Sequence, residues 1–128
     1  MTVTVLEAPT TGTAIHHPAV RPTHIVVLVS PFGGLSSCRN VVRQLTSSGA
    51  VVFTQEVESG SDPSGDESAT IGDMIRTISA TVDRATATFP GLAVILVGHG
   101  STANGALAFT ELFPDECQGL VITERSAA

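Results

Sequence analysis

Three apolar runs limit what this chain can fold into. Ile25-Val26-Val27-Leu28-Val29, Ala50-Val51-Val52-Phe53 and Leu92-Ala93-Val94-Ile95-Leu96-Val97 carry no polar residue at either alternating position. A strand with one wet face alternates apolar and polar residues, whereas an unbroken apolar run marks a strand covered on both faces. The strands are expected over His24–Val29, Ala50–Thr54 and Leu92–Val97. Helical patterns fill the gaps between them. Ser36 or Ser37 can cap a helix through Val41, Val42 and Leu45 that stops at Gly49. A second helix is expected from near Thr70, with Asp73 three residues on as a capping box. Its apolar residues Ile71, Met74, Ile75, Ile78, Val82, Ala85 and Phe89 recur every three or four positions, and Pro90-Gly91 ends it. After Gly98-His99-Gly100-Ser101 come a third helix, about Thr102 to Phe113, and a short strand, Leu120–Ile122. Strands joined by helices through short connections give right-handed crossovers and a parallel sheet. The expected class is therefore α/β: one domain over residues 1–128, with a mostly parallel sheet and helices on both faces in a three-layer sandwich.

The segment before the first run reads differently. Residues 2–7 alternate as a strand does, Thr10-Thr11-Gly12 suits a turn, and a weaker strand fits Thr13–His17 before Pro18 and Pro22. Residues 55–67 read as a polar loop, with Glu56, Glu58, Asp62, Asp66 and Glu67 in an order that does not suit calcium. The chain has no Trp or Tyr and five Phe, so its core must be built from Val, Ile, Leu and Ala. A net charge of −6 argues against nucleic acid or an anionic membrane as partner, because both require basic patches. No apolar run approaches the roughly 20 residues of a membrane span, and the first residues lack a leader pattern, so a bacterial cytoplasm is the expected address. Cys38 and Cys117 form no redox or metal motif and read as small buried residues. His16 and His17, adjacent on a strand, point to opposite faces and are expected to be solvated. No metal and no cofactor are expected.

The segment Val97-Gly98-His99-Gly100-Ser101-Thr102-Ala103-Asn104-Gly105-Ala106-Leu107-Ala108-Phe109 resembles the nucleophile elbow of α/β-hydrolases, Gly-x-Ser-x-Gly between a buried strand and a helix. Pro114 and Gly119-Leu120-Val121-Ile122 fit the family's helix end and next strand without an insertion. Upstream, Ser30-Pro31-Phe32-Gly33-Gly34 is similar to the Pro-x-Gly-Gly turn of thioesterases, where the family places its oxyanion loop. The likeness covers nearly the whole chain but only the first half of the family fold. In that register the nucleophile position holds Gly100, and Thr102 replaces the second motif glycine. The family's acid and histidine follow later strands, yet only six residues follow Ile122. The resemblance therefore implies a thioesterase-like protein that has lost its triad. A glycine adopts the strained elbow conformation without a side-chain penalty, relieving about 1–3 kcal/mol. A helix N-terminus facing Gly33-Gly34 would still cradle an anion or a carbonyl. The same short motif is similar to one in small tetrapyrrole metal-chelatases, although there it follows the first strand.

Three functions follow. The first is a pseudoenzyme that binds an acyl or polyketide-like intermediate, some other small apolar ligand or a partner enzyme in a biosynthetic pathway; Ser30, Phe32, Gly33, Gly34, Gly100 and Ser101 would line its site. The second is a small serine hydrolase or acyl-transfer enzyme using Ser101 as nucleophile and His99 as base. Against it, Ser101 suits a helix cap, and the family's corresponding histidine is mostly structural. The third is a structural subunit completing a partner's sheet. The strand at Leu120–Ile122 would leave an open edge, so a homodimer or a partner protein is expected on the 106–122 side.

Overall fold

The computed structural model describes residues 13–31, 37–57 and 67–123. The expected strand at 2–7, Phe32–Ser36 and the acids Glu58, Asp62 and Asp66 lie outside the described residues. In chain order the elements are β1 (Thr13–His16), β2 (His24–Pro31), α1 (Arg39–Ser47), β3 (Ala50–Val57), α2 (Glu67–Thr88), β4 (Val94–His99), a 3-10 turn over Gly100–Thr102, α3 (Ala103–Leu112) and β5 (Gly119–Thr123). They form one five-stranded sheet in the order β1-β3-β2-β4-β5. β1 runs antiparallel to β3, and the other three pairings are parallel.

The apolar runs occupy the centre because only there are both faces of a strand covered. Along β2, Ile25, Val27 and Val29 point into a core shared with Phe53, Met74, Ile78, Val82, Leu96 and Phe109, under α2 and α3. Val26 and Leu28 point the other way, into a smaller cluster with Cys38, Val52 and Val97, beside Val42 and Leu45 of α1. The chain is therefore a three-layer α/β sandwich, with two helices on one face and one on the other. On α2 the expected stripe is the packed one: Met74, Ile78, Val82 and Ala85 are buried, and Ile75 and Phe89 pack against them.

Several boundaries move, each for a local reason. β2 runs on to Pro31, and β3 runs on to Val57 through Gln55 and Glu56, which the sequence places in a loop. Gln55 is 1% exposed yet has partners: its Oε1 accepts from the hydroxyls of Thr13 and Thr81, and its Nε2 donates to the Glu56 carbonyl at 2.9 Å. This buried amide ties β1, β3 and α2 together. α2 begins at Glu67, so Thr70 lies inside the helix and is not its cap. α1 begins at Arg39, with Cys38 at its N-cap position and no cap bond from that side chain. Val41 faces solvent, whereas Val42 and Leu45 are half-buried, as the helical offset of one position requires. Cys38 is buried and Cys117 half-buried, and both are free thiols. Burial, and then the neighbouring Glu116, push the Cys117 thiol up to about 11.

No helix among the described residues is long and apolar enough to cross a membrane. β5 is an edge strand, with Val121 and Ile122 about half exposed; Leu107, Leu112 and Phe113 of the α3 segment are also exposed.

Replacing Gln55 by Ala is expected to lower stability by about 1–3 kcal/mol, because the groups it satisfies lose a buried partner. The shift of the urea midpoint at unchanged m-value measures this.

Candidate functional site

Two parallel strands bring the candidate site together. Val29 lies opposite Gly98 in the β2–β4 ladder, so Ser30 and Pro31 at the end of one strand adjoin His99 and Gly100 at the end of the other. His99 is extended, with φ −108° and ψ 130°, and Gly100 then turns into the left-handed region at φ 68°. The chain passes directly into the 3-10 turn and α3. This is the strand–turn–helix geometry that the motif requires, with glycine at the strained position.

Position 100 has room for more than glycine. Among the described residues, apart from its chain neighbours, a Cβ there would meet only Pro31, with Cδ at 3.7 Å and Cγ at 3.8 Å, which is ordinary contact distance. The backbone conformation alone penalises a side chain, by about 1–3 kcal/mol. Gly98 is constrained in the opposite way. A Cβ at Gly98 would lie 2.8 Å from the Ala106 Cβ and 3.1 Å from the Ala103 Cα, so the close seat of α3 against β4 admits only glycine.

Thr102, where the motif has its second glycine, is completely buried. Its hydroxyl accepts from the His99 N–H at 3.1 Å and has its proton between two carbonyls, Val29 at 2.9 Å and His99 at 2.8 Å. The side chain thus fastens the start of α3 to the ends of both β2 and β4. Sequence reading treats Thr102 only as a departure from the motif. A hydroxyl in a position that must be buried was the available signal, because such a group needs a partner.

The remaining candidates are placed as follows. Ser101 is exposed in the 3-10 turn, and its hydroxyl bonds to no described residue. It does not cap α3; the N-cap position falls to Thr102. The His99 ring is half-buried, with Nδ1 2.7 Å from the Thr123 hydroxyl, a bond that ties β4 to β5. Ser30 is buried, and its hydroxyl donates to the Pro31 carbonyl at 3.1 Å. Phe32, Gly33 and Gly34 lie outside the described residues. Among the described residues no group of three or more His, Cys, Asp or Glu is arranged to hold a metal ion.

No protein-family profile and no curated protein matches the sequence. Solved structures do resemble the fold. A carboxyl esterase from Bacillus coagulans, solved with glycerol, superposes with a TM-score of 0.72 at 17% identity, over 86% of this chain and 38% of that one. A lipase in its open form gives 0.72 at 14% identity, again over 86% and 38%. An α/β-hydrolase from a sediment metagenome of the Mar Chica lagoon, Morocco, gives 0.63 at 28% identity, over 86% and 46%. The chain has the α/β-hydrolase fold and spans about two fifths to one half of the length of these structures.

Thr102→Val keeps the shape but removes the hydroxyl, and is expected to cost about 1–3 kcal/mol. Thr102→Ser should recover most of the loss. Denaturant unfolding of both variants tests whether the hydroxyl or the methyl group holds the elbow.

Proposed function

We propose that this chain is a non-hydrolytic, thioesterase-like member of the α/β-hydrolase fold, using its elbow to bind an acyl group or a partner enzyme in a biosynthetic pathway rather than to cleave a bond. One observation carries the reading: glycine occupies the positive-φ position between β4 and the helix, where the hydrolase nucleophile would stand. The first N–H groups of a helix have no intrahelical acceptor and favour an anion or a polarised carbonyl. These groups stay when the serine is lost. The structural neighbours are named as esterases and lipases, and their ligand class is consistent with an acyl group.

The exposed, unbonded hydroxyl of Ser101 supports a competing reading, a hydrolase or acyl-transfer enzyme with the nucleophile displaced by one position. No hydrogen bond joins His99 to Ser101: the His99 ring is bonded through Nδ1 to the Thr123 hydroxyl on the β5 side. Labelling with a fluorophosphonate probe separates the two. Under the proposed function Ser101 stays unmodified, and p-nitrophenyl and thioester substrates turn over at background; stoichiometric labelling, or turnover lost on Ser101→Ala, would favour the enzyme. Gly100→Ser alone is expected to leave turnover at background, since the only described side chain near that position, apart from its chain neighbours, is Pro31 and offers no base.

We further propose that a second copy covers the 106–122 side. Val121, Ile122, Leu107, Leu112 and Phe113 lie exposed at the β5 edge and on α3. Burying such side chains gains about 1.5–3 kcal/mol each, and a twofold contact makes one patch serve both subunits. Sedimentation at micromolar concentration should show twice the chain mass. Val121→Pro, which removes a donor from the edge, should shift the population to monomer. A monomer at every concentration would refute this assembly.

A further inference from the structure

A cationic cleft opens at the β1 side of the sheet, between that strand and α1, and shares no lining residue with the elbow. It encloses about 530 Å³, with Arg39, Val42, Arg43 and Thr46 on one wall and His16 and Thr54 on the other. The four α1 residues are spaced i, i+3, i+4, i+7, so they form one face of the helix, the face turned towards β1. An amphipathic helix normally turns an apolar face inwards. Here two exposed arginines flank that face and line the cleft.

Among the described residues no acid pairs with either charge. The chain has twelve acids and six basic residues, yet none of the residues lining the cleft is Asp or Glu. Among the described residues the one ion pair is Arg76–Asp73, on α2. Arg43 reaches only a neutral group, donating to the Asn40 Oδ1 at 3.4 Å. α1 contains no acid, and Arg39 sits in its first turn, where the helix dipole is already positive. Like charges four residues apart on a helix repel. An oxyanion between them would replace that repulsion with two charge-assisted contacts, for which the guanidinium fork is well shaped.

The opposite wall suits the same ligand. The His16 Nε2 lies 3.5 Å from the Thr54 hydroxyl, and burial, then His17, lowers the pKa of His16. Burial thus works against a further positive charge on this ring, which lines the cleft beside His17. The cleft is larger than a bare phosphate requires and falls within the range of small-molecule sites. Val42 and Ala14 supply apolar surface beside the charges.

We propose that this cleft binds a small organic anion, its phosphate or carboxylate head held between Arg39 and Arg43 and its body lying along Val42 and Ala14. The site is independent of what the elbow does. The test titrates the isotopically labelled chain with inorganic pyrophosphate and, separately, with citrate, at ionic strength held constant with chloride. Saturable amide shifts are expected at Arg39, Arg43, Thr54 and His16, with a rise in melting temperature. A response to pyrophosphate alone identifies a phosphate head, to citrate alone a carboxylate head, and to both a general oxyanion site. Arg39→Gln and Arg43→Gln should each weaken binding by about tenfold. The double variant should melt no lower than the parent without anion, because it relieves the repulsion, and Arg76→Gln should bind as the parent does. No saturable response to either anion, or one that survives in the double variant, overturns the proposal.

Discussion

The seat of α3 against the sheet rests on two missing side chains. At Gly98 a methyl group would lie 2.8 Å from the Ala106 Cβ, and at Gly105 it would lie 2.6 Å from the Met74 sulfur. Both contacts reach rigid atoms: Ala106 is fully buried in the main core, and the Cβ of Met74, in the packed stripe of α2, would lie 2.9 Å from a methyl at Gly105. α3 is therefore held close to β4 on one side and to α2 on the other. That closeness compels the chain to reverse within the 3-10 turn, and the reversal needs the positive φ of Gly100. The elbow geometry is thus a product of packing.

The same packing decides which hydroxyls are available. Thr102 is turned inwards and consumed by backbone partners on β2 and β4, and Ser30 is turned towards its neighbour's carbonyl. Of these three, Ser101 faces solvent, on a turn whose neighbouring histidine is bonded to β5. The polar side chains at the strand ends hold the fold together: Thr102 and Ser30 spend their hydroxyls on backbone carbonyls.

The elements that could be read from the sequence were those governed by local periodicity. The unbroken run Ile25–Val29 gave a doubly covered strand, the stripe from Met74 to Phe89 gave the buried face of α2, and the Gly98–Thr102 segment gave a strand–helix junction. Boundaries were harder, because they depend on partners. β3 continues through Gln55 since β2 pairs with it as far as Val57 and Thr81 supplies a buried hydroxyl. Thr70 looks like a cap in sequence, but α2 starts a turn earlier. Of the candidate site, Gly100 and its conformation were legible, whereas the role of Thr102 was not.

The sequence by itself determined the layers: which segments are strands, which face of α2 is buried, and that one glycine stands at the turn. Those properties follow from side-chain spacing along a single element. Only the tertiary structure decided the contacts between elements. The strand order β1-β3-β2-β4-β5 brings Val29 to Thr102, 73 positions away, and β1 to the arginine face of α1. Periodicity carries no information about which strand lies beside which, because one apolar face packs as well against several alternatives. The sheet order is selected by the sum of all the packings at once.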